Sequence, residues 1–351
     1  MDTIKLSKFL KEKNQPVFRS GQIQKAIFQD GVSSFSEITT ISKELRELME
    51  REMRILSFEV QEILVARDKQ SIKALLKLFD GYLIETVLIS PKPDTWSACI
   101  SCQVGCQMGC RFCATGKMGF KRNLTAEEIT DQILFWKQYL KKPEPGTSNL
   151  KPADVSLGNI VYMGMGEPFN NWENVSESIK ILTDEKLFGF GSRSISVSTS
   201  GIADGILRMA NEFGQVNLAI SLHFATDEKR DRYMPVNKKY NLETLRNALK
   251  KYFQITKRKV FLEYIMLDGI NDSTLDARQL AQYIKSIGNA HLLHVNLIRY
   301  NTTSADLKPS TKDHAFRFKN ELEKLHIHAT IRKSLGDEIK GACGQLAGTG
   351  N

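Results

Sequence analysis

The chain has 351 residues, of which 41% are hydrophobic, enough to build a substantial core and to exclude a disordered chain. Lys and Arg number 49 against 40 Asp and Glu, and the net charge of +9 points to an anionic partner, most commonly nucleic acid, although a solvated basic surface accounts for it equally well. No apolar run approaches the roughly 18–20 residues of a membrane span, and the opening MDTIKLSKFLKEKNQ has no apolar signal core, so a cytoplasmic protein is expected.

Residues 1–53 read as a helical module. TIKLSKFLKEK, SGQIQKAIFQDG and ITTISKELRELMERE repeat apolar residues at three- and four-residue spacing. From Arg54 the period changes to two, and residues 54–93 read as antiparallel strands with Asp80-Gly81 as a hairpin turn. From residue 94 to 351, β-branched runs alternate with amphipathic helices. ACISCQ, NIVYMG, SISVST, VNLAISLH, KVFLEYIML and LLHVNLIRY precede helices expected at 125–141, 173–184, 203–212, 242–253, 273–287 and 311–324, and HATIRK closes the series. Six βα units and one closing strand make an α/β fold, a partial (β/α)6 barrel. The proline-rich stretch 141–154 reads as a loop. In such a barrel the reactive residues belong after the strands' C-terminal ends. The cysteine loop, GMGEPFNN, STSG, SLH and Asn301 all fall there.

Five of the six cysteines lie between residues 97 and 123. A reducing compartment argues against a disulfide framework, which leaves a metal, an iron–sulfur cluster or a redox pair. Cys106, Cys110 and Cys113 have the spacing C-x3-C-x2-C, which suits three irons of a cubane with the fourth iron open, and Phe112 is placed to shield it. A zinc site would take Cys102 as well, but its usual two C-x2-C knuckles with a long spacer are absent.

CQMGCRFC resembles the cluster motif of the radical S-adenosylmethionine superfamily. CISCQVGCQMGCRFCATGKMGFKRNLTAEEI, GMGEPFNN, SVSTSGI, ISLH, MLDGIND and DEIKGACGQLAG together resemble the RlmN/Cfr family of RNA adenosine methyltransferases, from near residue 18 to residue 348. The resemblance implies a radical-SAM barrel with an N-terminal RNA-binding accessory domain. It implies a 4Fe-4S cluster on Cys106, Cys110 and Cys113, with S-adenosylmethionine held at Gly166, Glu167, Ser198, Ser221, Leu222, His223 and Asn301. Cys343 matches the position that carries the methyl group as an intermediate, Cys99 the second catalytic cysteine, and Glu85 the proton acceptor. Cys102 matches no family role and reads as a small packed residue. Alone, His223 would read as a core histidine and Cys343 as a buried small hydrophobe.

Carbon 2 of adenine has no nucleophilic lone pair, so direct transfer of an electrophilic methyl to it has no driving force. The resemblance implies that two S-adenosylmethionine molecules serve each turnover. One methylates the Cys343 thiolate. The other is cleaved by an electron from the cluster, and the resulting 5′-deoxyadenosyl radical takes hydrogen from the methylated cysteine, whose carbon radical adds to the base. Cys99 then assists as base and traps Cys343 in a transient disulfide. Implied partners are 23S rRNA at a peptidyl-transferase-centre adenosine, tRNA, and an electron donor such as flavodoxin or ferredoxin. The basic runs at 121–123, 238–239, 250–251 and 257–259 are candidate phosphate contacts, and the target base would be extruded from its stack. The competing outcome is methylation at carbon 8, the Cfr reaction. Pro168 in GEPFNN and the STSG run lean to carbon 2, whereas FCATG and HVNLIRYN are shared. A zinc-stabilised, non-catalytic RNA-binding protein and a radical enzyme acting on small molecules are the readings from other classes.

Overall fold

A computed structural model describes residues 1–92, 95–141 and 156–348. The period switch at Arg54 marks a real change of architecture. Before it, α1 (Thr3–Glu12), α2 (Phe18–Gln24, running on into a π-turn to Gln29) and α3 (Lys43–Glu52) bury Leu6, Phe9, Ile23, Phe28, Leu45 and Met49. Asp2 and Ser42 cap α1 and α3 through their side-chain oxygens, satisfying amides that the first turn leaves unpaired.

After it come β1 (Phe58–Val65), β2 (Ser71–Leu78) and β3 (Leu83–Lys92), joined antiparallel, with the turn between β2 and β3 at Asp80-Gly81. The expected βα alternation follows: β4 (Thr95–Cys99), α5 (Ala126–Lys141), β7 (Ser156–Tyr162), α6 (Trp172–Thr183), β8 (Ile195–Thr199), α7 (Ala203–Glu212), β9 (Asn217–Ser221), α9 (Leu242–Ile255), β10 (Val260–Met266), α10 (Thr274–Ile287), β11 (Leu293–Arg299), α11 (Lys312–Lys324) and β12 (Ala329–Arg332). Three short elements were not legible in the pattern: the hairpin β5 (Gln103–Gly105) with β6 (Phe120–Asn123), the one-turn α4 (Ala114–Lys117) between its strands, and α8 (Asp227–Tyr233). ACISCQ therefore does not continue as one strand. It leaves the sheet after Cys99, and Gln103 begins the hairpin. Most of the proline-rich stretch, residues 142–155, lies outside the described residues.

One ten-stranded sheet runs β1-β2-β3-β4-β7-β8-β9-β10-β11-β12. The seven strands from β4 onward are parallel, and β3 pairs antiparallel along the free edge of β4. Among the described residues the sheet ends at β12 without pairing back to β4. The chain after β12 instead crosses to the antiparallel strands, where Lys333 Nζ donates to Gln70 Oε1 at 3.0 Å and Glu338 meets Arg67. The helices cover the outside of the sheet with apolar faces, such as Leu245, Leu249 and Tyr252 of α9. The helical module docks on this layer through α5, whose buried Asp131 accepts from the Ser57 amide at 2.9 Å and pairs with the Met1 amine. Among the described residues no helix is long and apolar enough to cross a membrane.

Candidate active site

Parallel strands bring all their C-terminal ends to one side, so seven successive loops converge there. The first, after β4, carries the cysteine run. Its base is pinned by the β5–β6 hairpin, in which the Cys106 amide donates to Gly119 O at 3.0 Å. Gly105 has φ +73°, and a Cβ there would lie 1.8 Å from that same oxygen, so only glycine fits. Cys106 and Cys110 are buried and Cys113 is half-buried. Phe112 between them sets its ring edge-on to His223, centroids 4.9 Å apart. Burial pushes the Cys106 thiol up to about 12 and raises Cys110 as well, with Cys113 as a further cause in both. These sulfurs therefore need a bound cation to be held as thiolates. The donor set fits an iron–sulfur cluster. A tetrahedral zinc with Zn–S near 2.3 Å draws its sulfurs to about 3.8 Å apart. Among the described residues the group of three donors gathered within 4.8 Å is Asp268, Asp272 and His314, not the cysteines.

The loops after β7, β8 and β9 supply the next residues. Gly166 has φ +107°, and a Cβ there would come within 2.6 Å of Gln103, the residue that accepts the Glu167 amide through Oε1 at 2.8 Å. The Glu167 carboxylate is buried, accepts from the Ser200 amide at 2.7 Å and the Phe169 amide at 3.2 Å, and is raised by that burial. The Ser198 and Ser221 hydroxyls are 3.5 Å apart across β8 and β9. A buried carboxylate and two facing hydroxyls suit a ligand with an ammonium and a carboxylate, as S-adenosylmethionine has. Leu222 is fully buried and His223 sits at φ +58°. His223 Nδ1 accepts the Ile265 amide at 3.0 Å, and burial followed by the Arg230 charge lowers it to about 3, so the ring is neutral. It shapes the turn through that bond and its contact with Phe112.

The final loop is the tail after β12, which lies across this same mouth. Asn301 Nδ2 donates to Cys343 O at 3.1 Å, the Ala114 amide donates to Gly344 O at 2.7 Å, and Thr115 Oγ1 donates to Leu346 O at 2.6 Å. Cys343 is thus brought to the cysteine loop from 230 residues away in the chain. Its side chain is open to solvent, but the surrounding walls raise its pKa, while the Arg332 guanidinium works in the opposite direction. Cys99, at the end of β4, is raised by burial and next by the neighbouring Cys343, with Arg332 again opposing. All six cysteines are free thiols. Arg332 in turn faces the buried Glu263, Nη1 to Oε2 at 3.5 Å. Glu85, at the start of β3, is buried and accepts from the Ala347 and Gly348 amides.

Arg230, Arg332 and Lys73 were not singled out by sequence reasoning. Arg230 is fully buried and donates to Ser200 O at 2.9 Å, to Leu222 O, and through Nε to Asn237 Oδ1 at 2.9 Å, tying two strand-end loops together. Its segment, EKRDRY, reads as a solvated charge run and gives no sign of this. Cys102 is packed in the core. Of the basic runs, Arg122 is already paired with Asp80 and, bidentate at 2.8 Å, with Glu128, which leaves Lys121 as the exposed cation of that run at the mouth. Residues 257–259 precede β10, and Lys250 and Lys251 lie in the second half of α9, so both groups sit toward the opposite end of the barrel.

The chain matches the family described as "Radical SAM superfamily" over residues 100–281 and that described as "Ribosomal RNA large subunit methyltransferase N-terminal domain" over residues 1–55. It is 42% identical over 329 residues to a probable dual-specificity RNA methyltransferase RlmN of Thermotoga sp. (strain RQ2), covering 94% of this chain and 91% of that one. It is 42% identical to the dual-specificity RNA methyltransferase RlmN of Desulfotalea psychrophila, covering 97% and 92% of the two chains. To the ribosomal RNA large subunit methyltransferase Cfr of Clostridium botulinum (strain Hall) it is 41% identical, covering 94% and 92%. A crystal structure of a radical SAM methyltransferase from Sphaerobacter thermophilus superposes with a TM-score of 0.90 at 36% identity, covering 99% of this chain and 98% of that one. The chain therefore belongs to the RlmN/Cfr family of radical SAM RNA methyltransferases.

Proposed function

We propose that this protein methylates carbon 2 of an adenosine in 23S rRNA, and of an adenosine in tRNA, through a methyl group carried on Cys343. The observation that carries this reading is the tail: it sets a lone thiol over the mouth that also holds the three-cysteine loop, beside a second thiol, Cys99. Cys106, Cys110 and Cys113 are the residues to hold a 4Fe-4S cluster, and Gly166, Glu167, Ser198, the Ser221–Leu222–His223 turn and Asn301 those to hold S-adenosylmethionine. When bound, the cluster supplies an electron and S-adenosylmethionine the methyl group and the hydrogen-abstracting adenosyl group.

The protein's own residues do the rest. Cys343 loses its proton and its sulfur attacks the methyl carbon, a displacement that Arg332 favours by stabilising the thiolate. The buried Glu167 carboxylate is the partner for the cofactor's ammonium. Once the carried carbon is bonded to adenine, Cys99 takes the proton from carbon 2 and the adduct's unpaired electron would return to the redox centre that supplied it. Cys99 sheds that proton to solvent, its thiolate attacks the Cys343 sulfur to close a disulfide, and as the carbon–sulfur bond breaks the freed carbon takes up a proton to complete the methyl group. The reducing donor, a flavodoxin- or ferredoxin-type protein, restores both thiols.

The test is anaerobic turnover with labelled methyl donor on defined 23S rRNA and tRNA fragments, read by mass spectrometry. Label in 2-methyladenosine supports the reading. Label in 8-methyladenosine selects the Cfr-type reaction, which the 41% identity to the Clostridium botulinum protein keeps in view. A Cys343→Ala variant that still turns over removes the methyl-cysteine route.

A further inference from the structure

Glu85 on β3 is 1% exposed and Lys73 on the neighbouring β2 is 4% exposed; Nζ and Oε1 are 2.8 Å apart. Burying an ion pair strips both ions of water, and the pair is tolerable only if further hydrogen bonds satisfy the remaining lone pairs. Here the tail provides them. The Ala347 amide at 2.6 Å and the Gly348 amide at 3.0 Å both donate to the other oxygen, Oε2. Three donors thus occupy a carboxylate with about four lone-pair sites. Charge-assisted hydrogen bonds of this kind are roughly twice as strong as neutral ones. Undocking the tail would leave Oε2 buried with no donor, so the pair and the tail hold each other.

We propose that the Lys73–Glu85 pair is the anchor of the C-terminal tail: Glu85 is a positioning residue that fixes the chain four and five residues beyond Cys343, and it is not the proton acceptor. With Asn301 and Ala114 holding the backbone at Cys343 and Gly344, the thiol rides on a short span tied at both ends. The inference deepens the methyl-cysteine reading and rests on it for its functional meaning, but the anchor itself is testable without any reaction.

The experiment uses the full-length, cluster-containing protein kept anaerobic, without RNA. Hydrogen exchange of residues 342–348 and the rate of iodoacetamide labelling at Cys343 are read by peptide mass spectrometry. Lys73→Met/Glu85→Leu removes both charges and the acceptor together. Exchange in the tail is expected to quicken about tenfold or more and Cys343 labelling to rise with it. Lys73→Met/Glu85→Gln returns an acceptor oxygen, and tail protection is expected to recover. Ala347→Pro deletes one donor from the tail side with the barrel untouched, so loosening there supports the anchor even if the double variants fold poorly. Unchanged exchange in Ala347→Pro overturns it. In a separate anaerobic turnover with the RNA fragment added, a Lys73→Met/Glu85→Gln enzyme that keeps its tail protected yet accumulates a covalent protein–RNA adduct also overturns it, because that is the arrest expected of a missing base. If wild-type Cys343 never acquires a methyl group, the reaction scheme fails while the exchange result stands.

Discussion

Arg332 acts at the scale of single atoms. It is the cation that opposes the upward push on solvent-open Cys343 and half-buried Cys99 from the protein around them. Partial desolvation raises each thiol, so the reactive thiolate fraction grows as pH rises toward the shifted value, and removing the guanidinium moves that value further up. Arg332→Met is therefore expected to slow iodoacetamide labelling of Cys343 about tenfold at neutral pH, the effect of one unit, with the rate–pH curve displaced to higher pH. A curve that does not move separates Arg332 from the thiols. Gly166→Ala tests a different constraint, since φ +107° and a 2.6 Å approach to Gln103 leave no room for a methyl. It is expected to cost about 1–3 kcal/mol in a denaturant titration and to weaken S-adenosylmethionine binding measured by calorimetry. The family motifs singled out Gly166 and Cys343 in the sequence. Arg332 and Lys73 were not, because a charged residue on a strand looks the same whether it faces water or a buried partner.

Among elements, the β5–β6 hairpin is the one on which the cysteine loop depends. Gly105→Ala forces a Cβ to within 1.8 Å of Gly119 O, so the hairpin must part. The expected result is loss of most iron and sulfide per chain after anaerobic reconstitution, with far-UV circular dichroism close to wild type. Retention of iron would show that the loop holds its shape without the hairpin. A control comes from α10, where Ser273 and Asp276 form a reciprocal cap. Ser273→Ala is expected to cost about 1 kcal/mol in the denaturant midpoint and to leave iron content unchanged. Long helices and strands were read closely from periodicity: the helix expected at 203–212 is Ala203–Glu212, and that at 125–141 is Ala126–Lys141. The hairpin strands, three and four residues long, and the seven-residue α8 were not, since so few residues carry too little period; the hairpin's entry is set by tertiary contacts such as Asn171 Nδ2 to Cys102 O at 2.8 Å.

Over the whole molecule, the charge of +9 is spread around the barrel, and topology decides which part of it can matter to RNA at the mouth. Lys121→Ala is expected to weaken binding of an RNA hairpin and to reduce the slope of log affinity against log salt by roughly one, while Lys257→Ala/Lys259→Ala changes neither. Equal losses in the two variants would mean that RNA wraps the far end. The alternation of strands and helices made the barrel legible, but not its closing: nothing in the sequence says that residues after the last strand reach back to β2 and β3. That arrangement has a mechanical consequence. A wall closed by side-chain contacts and a few amides is a seam, weaker than the ladders on either side of it. The seam is therefore expected to open before the sheet does, with amide exchange in residues 342–348 outrunning that in β2 and β3 under mild denaturant.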